Sequence, residues 1–161
     1  MNIQKNFFKE KDLKGEIIMG KALHIAKYII DKCFKDNSPI TNLRLQKILY
    51  FVQLEAYSKC KRPAFEEDIE AWQFGPVVPI VYYEYCNYVG MPILEYYNVT
   101  DDIDVEIKNA IDDVISKYAK FTVWDLVNLT HAEGTPWKET YVSYEKRVIP
   151  KNLIEKESIK Q

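Results

Sequence analysis

The chain has 161 residues, 47% of them hydrophobic and 29% charged, with a formal net charge of −2. These proportions fit one globular domain able to bury a core unaided, and the near-neutral balance excludes a general nucleic-acid binder, which needs surplus Lys and Arg. Three widely spaced cysteines (Cys33, Cys60 and Cys86) form no CxxC or Cys/His cluster, so they point to semi-buried reduced thiols rather than a disulfide framework or metal site.

The N-terminal "MNIQKNFFKEKDLKGEIIMG" has no apolar core of a signal peptide, and no later stretch is long and apolar enough to span a bilayer. A soluble, cytoplasmic protein is expected. Residues 1–18 show no helical period and read as a leader or arm outside the domain. Two origins fit. "KGEIIM" can be encoded with a purine-rich ribosome-binding sequence just before Met19, making the leader an excludable segment. Alternatively Phe7, Phe8, Leu13, Ile17 and Ile18 form a loosely attached arm, as termini are poorly ordered unless tied down.

"GKALHIAKYIIDKCF" places Leu23, Ala26, Ile29, Ile30 and Cys33 at amphipathic-helix spacing. "DNSPI" ends it, and Thr41 is the expected N-cap of "NLRLQKILYFVQLEAYSK". That helix is apolar around most of its circumference, the mark of a central helix. Gln46, Tyr50, Gln53 and Tyr57 trace a narrow polar-aromatic seam along it, read as hydrogen-bonded core with a ligand site as the alternative. The expected partner of both glutamine amides is the extended 69–79 backbone.

"KRPAFEEDIEAWQFGP" has no helical period; "IEAWQF" reads as a short strand ending at Gly75-Pro76. Pro79 then suits the first turn of a helix running through "IVYYEYCNYV" to Gly90. "MPILEYYNVT" is non-helical. Asp101, Asp102 and Asp104 sit at the positive end of a helix whose face is Ile103, Ile107, Ala110, Ile111, Val114 and Tyr118. "TVWD" is a capping box for "VWDLVNLTH", and Thr135-Pro136 opens a short helix, "PWKETYVSY". The tail, residues 150–161, reads as a weakly held last helix. The fold class is mainly α: a single-domain helical fold, residues 19–149, with short extended segments around 62–75 and 91–99.

Catalytic patterns are lacking. His131-Ala-Glu133 has the HxE of zinc deaminases without the Pro-Cys-x-x-Cys that holds the metal. The serines occupy no nucleophile elbow, and the isolated glycines make no phosphate loop. His131, at a helix C-terminus, is explained by the favourable dipole for a partly protonated imidazole. An enzyme around Glu70, Glu133 and His131 has no motif behind it, and no cofactor or metal is expected.

Three segments, "LRLQKILYFVQ", "IEAWQFGPVVPIVYYEY" and "LVNLTHAEGTPWKETY", resemble in order and spacing the SocA-like Panacea domain. The resemblance runs from about Ala22 to about Tyr144. It implies a compact, largely helical, non-enzymatic domain that neutralises a cognate toxin by direct contact. A phage-borne inhibitor of a host defence enzyme, or an adaptor delivering a client to an AAA+ protease, are the alternatives. Many relatives carry an N-terminal DNA-binding domain; the segment before Gly20 is too short to be one, so autorepression is not expected. Within the "GPVVP" corner, Trp72, Gly75, Pro76, Pro79 and, further on, Trp137 are assigned to structure, Trp72 and Trp137 as largely buried. Phe74, Tyr82 and Tyr83 are candidate partner contacts, with Gln46 and His131 added as candidate protein-binding residues.

Overall fold

The computed structural model of the chain describes residues 10–11, 17–18, 21–100 and 103–160. Most of the proposed 1–18 leader therefore lies outside the described residues, as do Asp101 and Asp102. Within it, β1 (Glu10–Lys11) pairs antiparallel with β2 (Ile17–Ile18).

The amphipathic pattern after Gly20 becomes α1 (Lys21–Lys35), which buries Ala22, Ile25, Ala26, Ile29 and Ile30 on one face. The all-round apolar stretch becomes α2 (Asn42–Cys60), and twelve of its nineteen residues are buried. Thr41 caps it as expected, its hydroxyl accepting the Arg44 N–H at 3.3 Å. A helix this apolar must be covered on several sides. Most of this cover comes from α1, α4 (Val105–Lys117), α5 (Val123–His131) and α7 (Lys151–Ser158). The mainly α reading holds.

The acidic segment caps α4 through Asp104, whose carboxylate accepts the Glu106 N–H at 2.9 Å. Ile107, Ala110, Ile111 and Val114 face the core. The Thr122–Asp125 capping box opens α5, with both reciprocal bonds formed. The tail departs from its reading. Far from weakly held, α7 packs on α2 and buries Ile154 and Ser158.

The extended residues make a three-stranded antiparallel sheet in the order β4 (Gly75–Val77), β3 (Glu70–Trp72), β5 (Arg147–Val148). Two readings are corrected here. Gly75-Pro76 does not end the strand: the reversal comes at Gln73-Phe74, and Gly75 and Pro76 begin the returning strand. Pro79 does open α3 (Pro79–Glu84), but this helix stops well short of Gly90. A 3-10 turn (Cys86–Tyr88) follows, and Val89, at φ 56°, carries the left-handed turn assigned to Gly90. The helix breaks because its aromatics are wanted elsewhere: Tyr85 is buried with its hydroxyl donating to Tyr97 at 3.1 Å, while Tyr88 and Tyr97 both donate to Glu95.

Buried polar side chains tie the irregular segments to the helices. The Asp31 carboxylate, at 3% exposure, accepts the N–H groups of Tyr97 and Val99 at 2.6 and 2.7 Å. Gln53 finds a different partner from the one expected. Its oxygen accepts from Ala64 and Phe65 at 2.9 and 3.4 Å, and its amide donates to the Phe65 carbonyl at 2.8 Å. Replacing Gln53 by leucine is expected to destabilise by about 2 kcal/mol, since buried backbone groups lose their partners. A urea midpoint unchanged from wild type would contradict this.

Among the described residues no helix is long and apolar enough to cross a membrane. Cys33 and Cys60 are half-buried, and burial pushes the Cys33 thiol up to about 11. Cys86 is exposed, against the semi-buried expectation.

Candidate functional site

The β3–β4 hairpin and the start of α3 form a corner whose backbone is held from inside by three side chains. The Trp137 indole N–H donates to the Trp72 carbonyl at 2.8 Å. The Lys47 ammonium donates to the Pro76 carbonyl at 2.8 Å. The Gln46 amide oxygen accepts the Val78 N–H at 2.9 Å, while its nitrogen donates to Asn42. Each of the three motif segments thus supplies one side of a single bonded unit. Gln46 is 1% exposed and spent on these bonds. It braces the corner and is not free to bind a partner, which corrects that assignment.

Gly75 adopts φ +104°, and a Cβ there would lie 2.7 Å from Lys47 Cε and 2.8 Å from Thr130 Oγ1. Both the backbone conformation and the packing demand glycine. Gly75→Ala is expected to cost about 2–3 kcal/mol, from strain plus displacement of Lys47. An alanine variant melting within a degree of wild type would refute this account.

Behind the corner, Trp137 is 5% exposed and sandwiched between two rings. His131 stacks on it at 3.6 Å with 4° between planes, and Tyr141 at 4.6 Å with 15°. Thr135 caps the short α6 (Pro136–Thr140) that carries this tryptophan. His131 Nε2 is buried, with no hydrogen-bond partner among the described residues. Burial, then the Lys47 and Lys138 charges, hold the imidazole below its ordinary value. The partly protonated, dipole-stabilised imidazole is therefore corrected: burial disfavours its protonation, and the ring serves as a stacking partner of Trp137 with its Nε2 turned inward.

Lys47 went unsingled in the sequence. It is 0% exposed and burial lowers its ammonium to about 7. The signal was present: Lys47, Tyr50 and Leu54 share one helical face, and a cation in line with buried apolar residues needs an interior acceptor. The Glu70, Glu133 and His131 grouping does not assemble. Glu70 accepts the Trp72 indole N–H at 2.7 Å, and Glu133 pairs with Lys138 at 3.2 Å on the surface. Among the described residues no His, Cys, Asp and Glu cluster could hold a metal.

The outer side is aromatic. Phe74 and Tyr83 are exposed at 47% and 43%, Tyr82 is half-buried, and Phe74 meets the exposed Trp124 edge-on at 5.8 Å. Trp72 is more covered than Phe74 and Tyr83, in line with its expected burial, with Tyr82 and Tyr83 at 4.8 and 6.0 Å from its ring. Trp124 and the 141–146 segment were not foreseen as part of this face.

The profile of the family described as antitoxin SocA-like, Panacea domain, matches residues 45–138. The chain belongs to the SocA-like Panacea family. Antitoxin SocA of Caulobacter vibrioides (strain NA1000 / CB15N) is 32% identical over 127 residues, covering 72% of this chain and 68% of that protein. No solved structure matches significantly. Membership supports an antitoxin role. The Panacea match begins within α2 and ends just past Trp137, so it encloses all three bonds that hold the corner.

Proposed function

We propose that this Panacea protein is a non-enzymatic antitoxin that neutralises a cognate toxin by direct, stoichiometric contact through the aromatic face of the corner. The observation that carries the reading is the division of the corner. Its backbone is fixed internally by Trp137, Lys47 and Gln46, while Phe74 and Tyr83 are exposed on its outer side over the partly covered Trp72 and Tyr82. A pre-ordered aromatic surface binds with little further loss of conformational entropy, and aromatic side chains are favoured interface anchors.

Co-expression with the neighbouring toxin gene is expected to restore growth and to yield a stable complex of fixed stoichiometry. Phe74→Ala and Tyr83→Ala should weaken the complex without lowering the melting temperature. Rescue by substoichiometric protein with turnover of a small molecule would overturn the reading. Disappearance of the toxin from rescued cells, in place of a complex, would make the protein a proteolysis adaptor.

A further inference from the structure

A cavity of about 670 Å³ opens beside the corner, between the β3–β4 turn, α3 and the 141–146 segment. Its walls are Trp72, Phe74, Tyr82, Tyr141 and Tyr144, with Lys146 at the rim. The volume lies in the range that holds a drug-sized group, well above one trapped water. Tyr144 stands fully exposed at φ 67° and Val89, another lining residue, is 86% exposed.

Lys146 gives this pocket a sign. Its ammonium lies 3.8 Å over the Trp72 ring and donates to the Tyr83 hydroxyl at 3.2 Å. Of the two carboxylates beside these residues in sequence, Glu70 accepts from the Trp72 indole at 2.7 Å and Glu145 pairs with Arg147 at 2.5 Å. No carboxylate among the described residues pairs with Lys146. Around the same cavity the hydroxyls of Tyr82, Tyr141, Ser143 and Tyr144 have no protein hydrogen-bond partner among the described residues. The pocket therefore combines an aromatic cage, an unpaired cation and unused hydroxyls.

We infer that this pocket receives a short segment of the toxin in which a large apolar side chain stands beside an Asp or Glu. The apolar group fills the space between Trp72, Phe74 and Tyr141, and the carboxylate meets Lys146 and the neighbouring hydroxyls. The inference rests on the direct-contact reading above. It adds the chemistry of the segment that is recognised. A cation held on an indole face keeps its position without a carboxylate, so an incoming acid finds it already placed.

The test uses the full chain and three blocked peptides, Ac-Gly-Phe-Asp-Gly-NH2 and its Asn and Lys counterparts, titrated by NMR. The Trp72 indole N–H should shift most, with the Asp peptide binding about three- to fivefold tighter than the Asn peptide, the size of one exposed ion pair. The Lys peptide should be weakest. Lys146→Gln should abolish the Asp–Asn difference while leaving the melting temperature unchanged. Equal binding of the Asp and Asn peptides, no saturable shift with any of them, or shifts confined to the Phe121–Leu129 side of α5 would overturn the inference. So would a concentration-dependent dimer that buries Trp72, which would make a second copy the occupant. Because no toxin is present, these failures would remove the pocket assignment alone; loss of the toxin complex in co-expression is what would remove the antitoxin reading.

Discussion

Replacing Trp137 by alanine is expected to destabilise the fold by about 3–5 kcal/mol, the range for deleting a large buried aromatic. Its ring is the middle layer of a stack with His131 and Tyr141, and its N–H holds the Trp72 carbonyl. Truncation leaves a cavity, unstacks two rings and removes one of the three bonds that fix the corner. Trp137→Phe separates these effects: the apolar ring is kept, and the loss should fall to about 1–2 kcal/mol, the cost of an unsatisfied carbonyl. Urea unfolding of both variants measures the difference. An alanine variant within about 1 kcal/mol of wild type, well short of the usual cost of deleting a buried aromatic, would show that the stack carries no weight. Because the corner presents Phe74 and Tyr83, loss of toxin binding in Trp137→Ala would follow from disorder of that surface rather than from a lost contact.

What could be read in the sequence was whatever is decided locally. Thr41, the Thr122–Asp125 pair and Thr135 each cap a helix through bonds to residues only three positions away. Their geometry is written in consecutive residues, and so were the helix starts. What could not be read depends on distant partners. β5 is two exposed residues that become a strand only because Glu70 and Ala71 lie alongside. α3 is shorter than its helix-compatible sequence allows because Tyr85 and Tyr88 are claimed by the 95–97 segment. The apolar pattern of α7 was visible, but not that α2 would have a side left open for it. At the site, the motif residues Gln46, Gly75 and Trp137 were legible as structural or candidate positions. Lys47 needs its acceptor, Pro76, which lies 29 residues away. Lys146 needs Trp72 beneath it.

Lys47 also makes stability depend on pH in a direction that can be stated beforehand. In the folded protein burial brings its ammonium down from 10.5 to about 7. Over that window the unfolded chain binds a proton that the folded chain does not, so stability rises with pH. The penalty for the buried charge is fully present below the folded value, at most about 5 kcal/mol, and it vanishes as pH climbs through the unfolded value. His131 acts in the same sense lower down: its folded value is depressed, so its contribution is lost as pH falls below 6.5. Cys33 opposes at the alkaline end, because its raised value makes the folded state hold a proton that the unfolded chain releases. The Lys47 part is therefore read as a difference. Lys47→Met removes the titrating group and keeps most of the volume, at the expense of an unpaired Pro76 carbonyl, while Cys33 and the tyrosines are common to both proteins. Between pH 7 and 9 the wild type should gain about 2 kcal/mol relative to the variant. Near pH 6 the variant is expected to equal or exceed wild type, because replacing a buried unpaired charge by an apolar side chain is often neutral or stabilising. Urea titrations of the two proteins at pH 6, 7 and 9 measure this directly. Parallel curves, with a constant difference across all three, would mean that Lys47 keeps its proton throughout and that the corner is braced by a permanently charged ammonium.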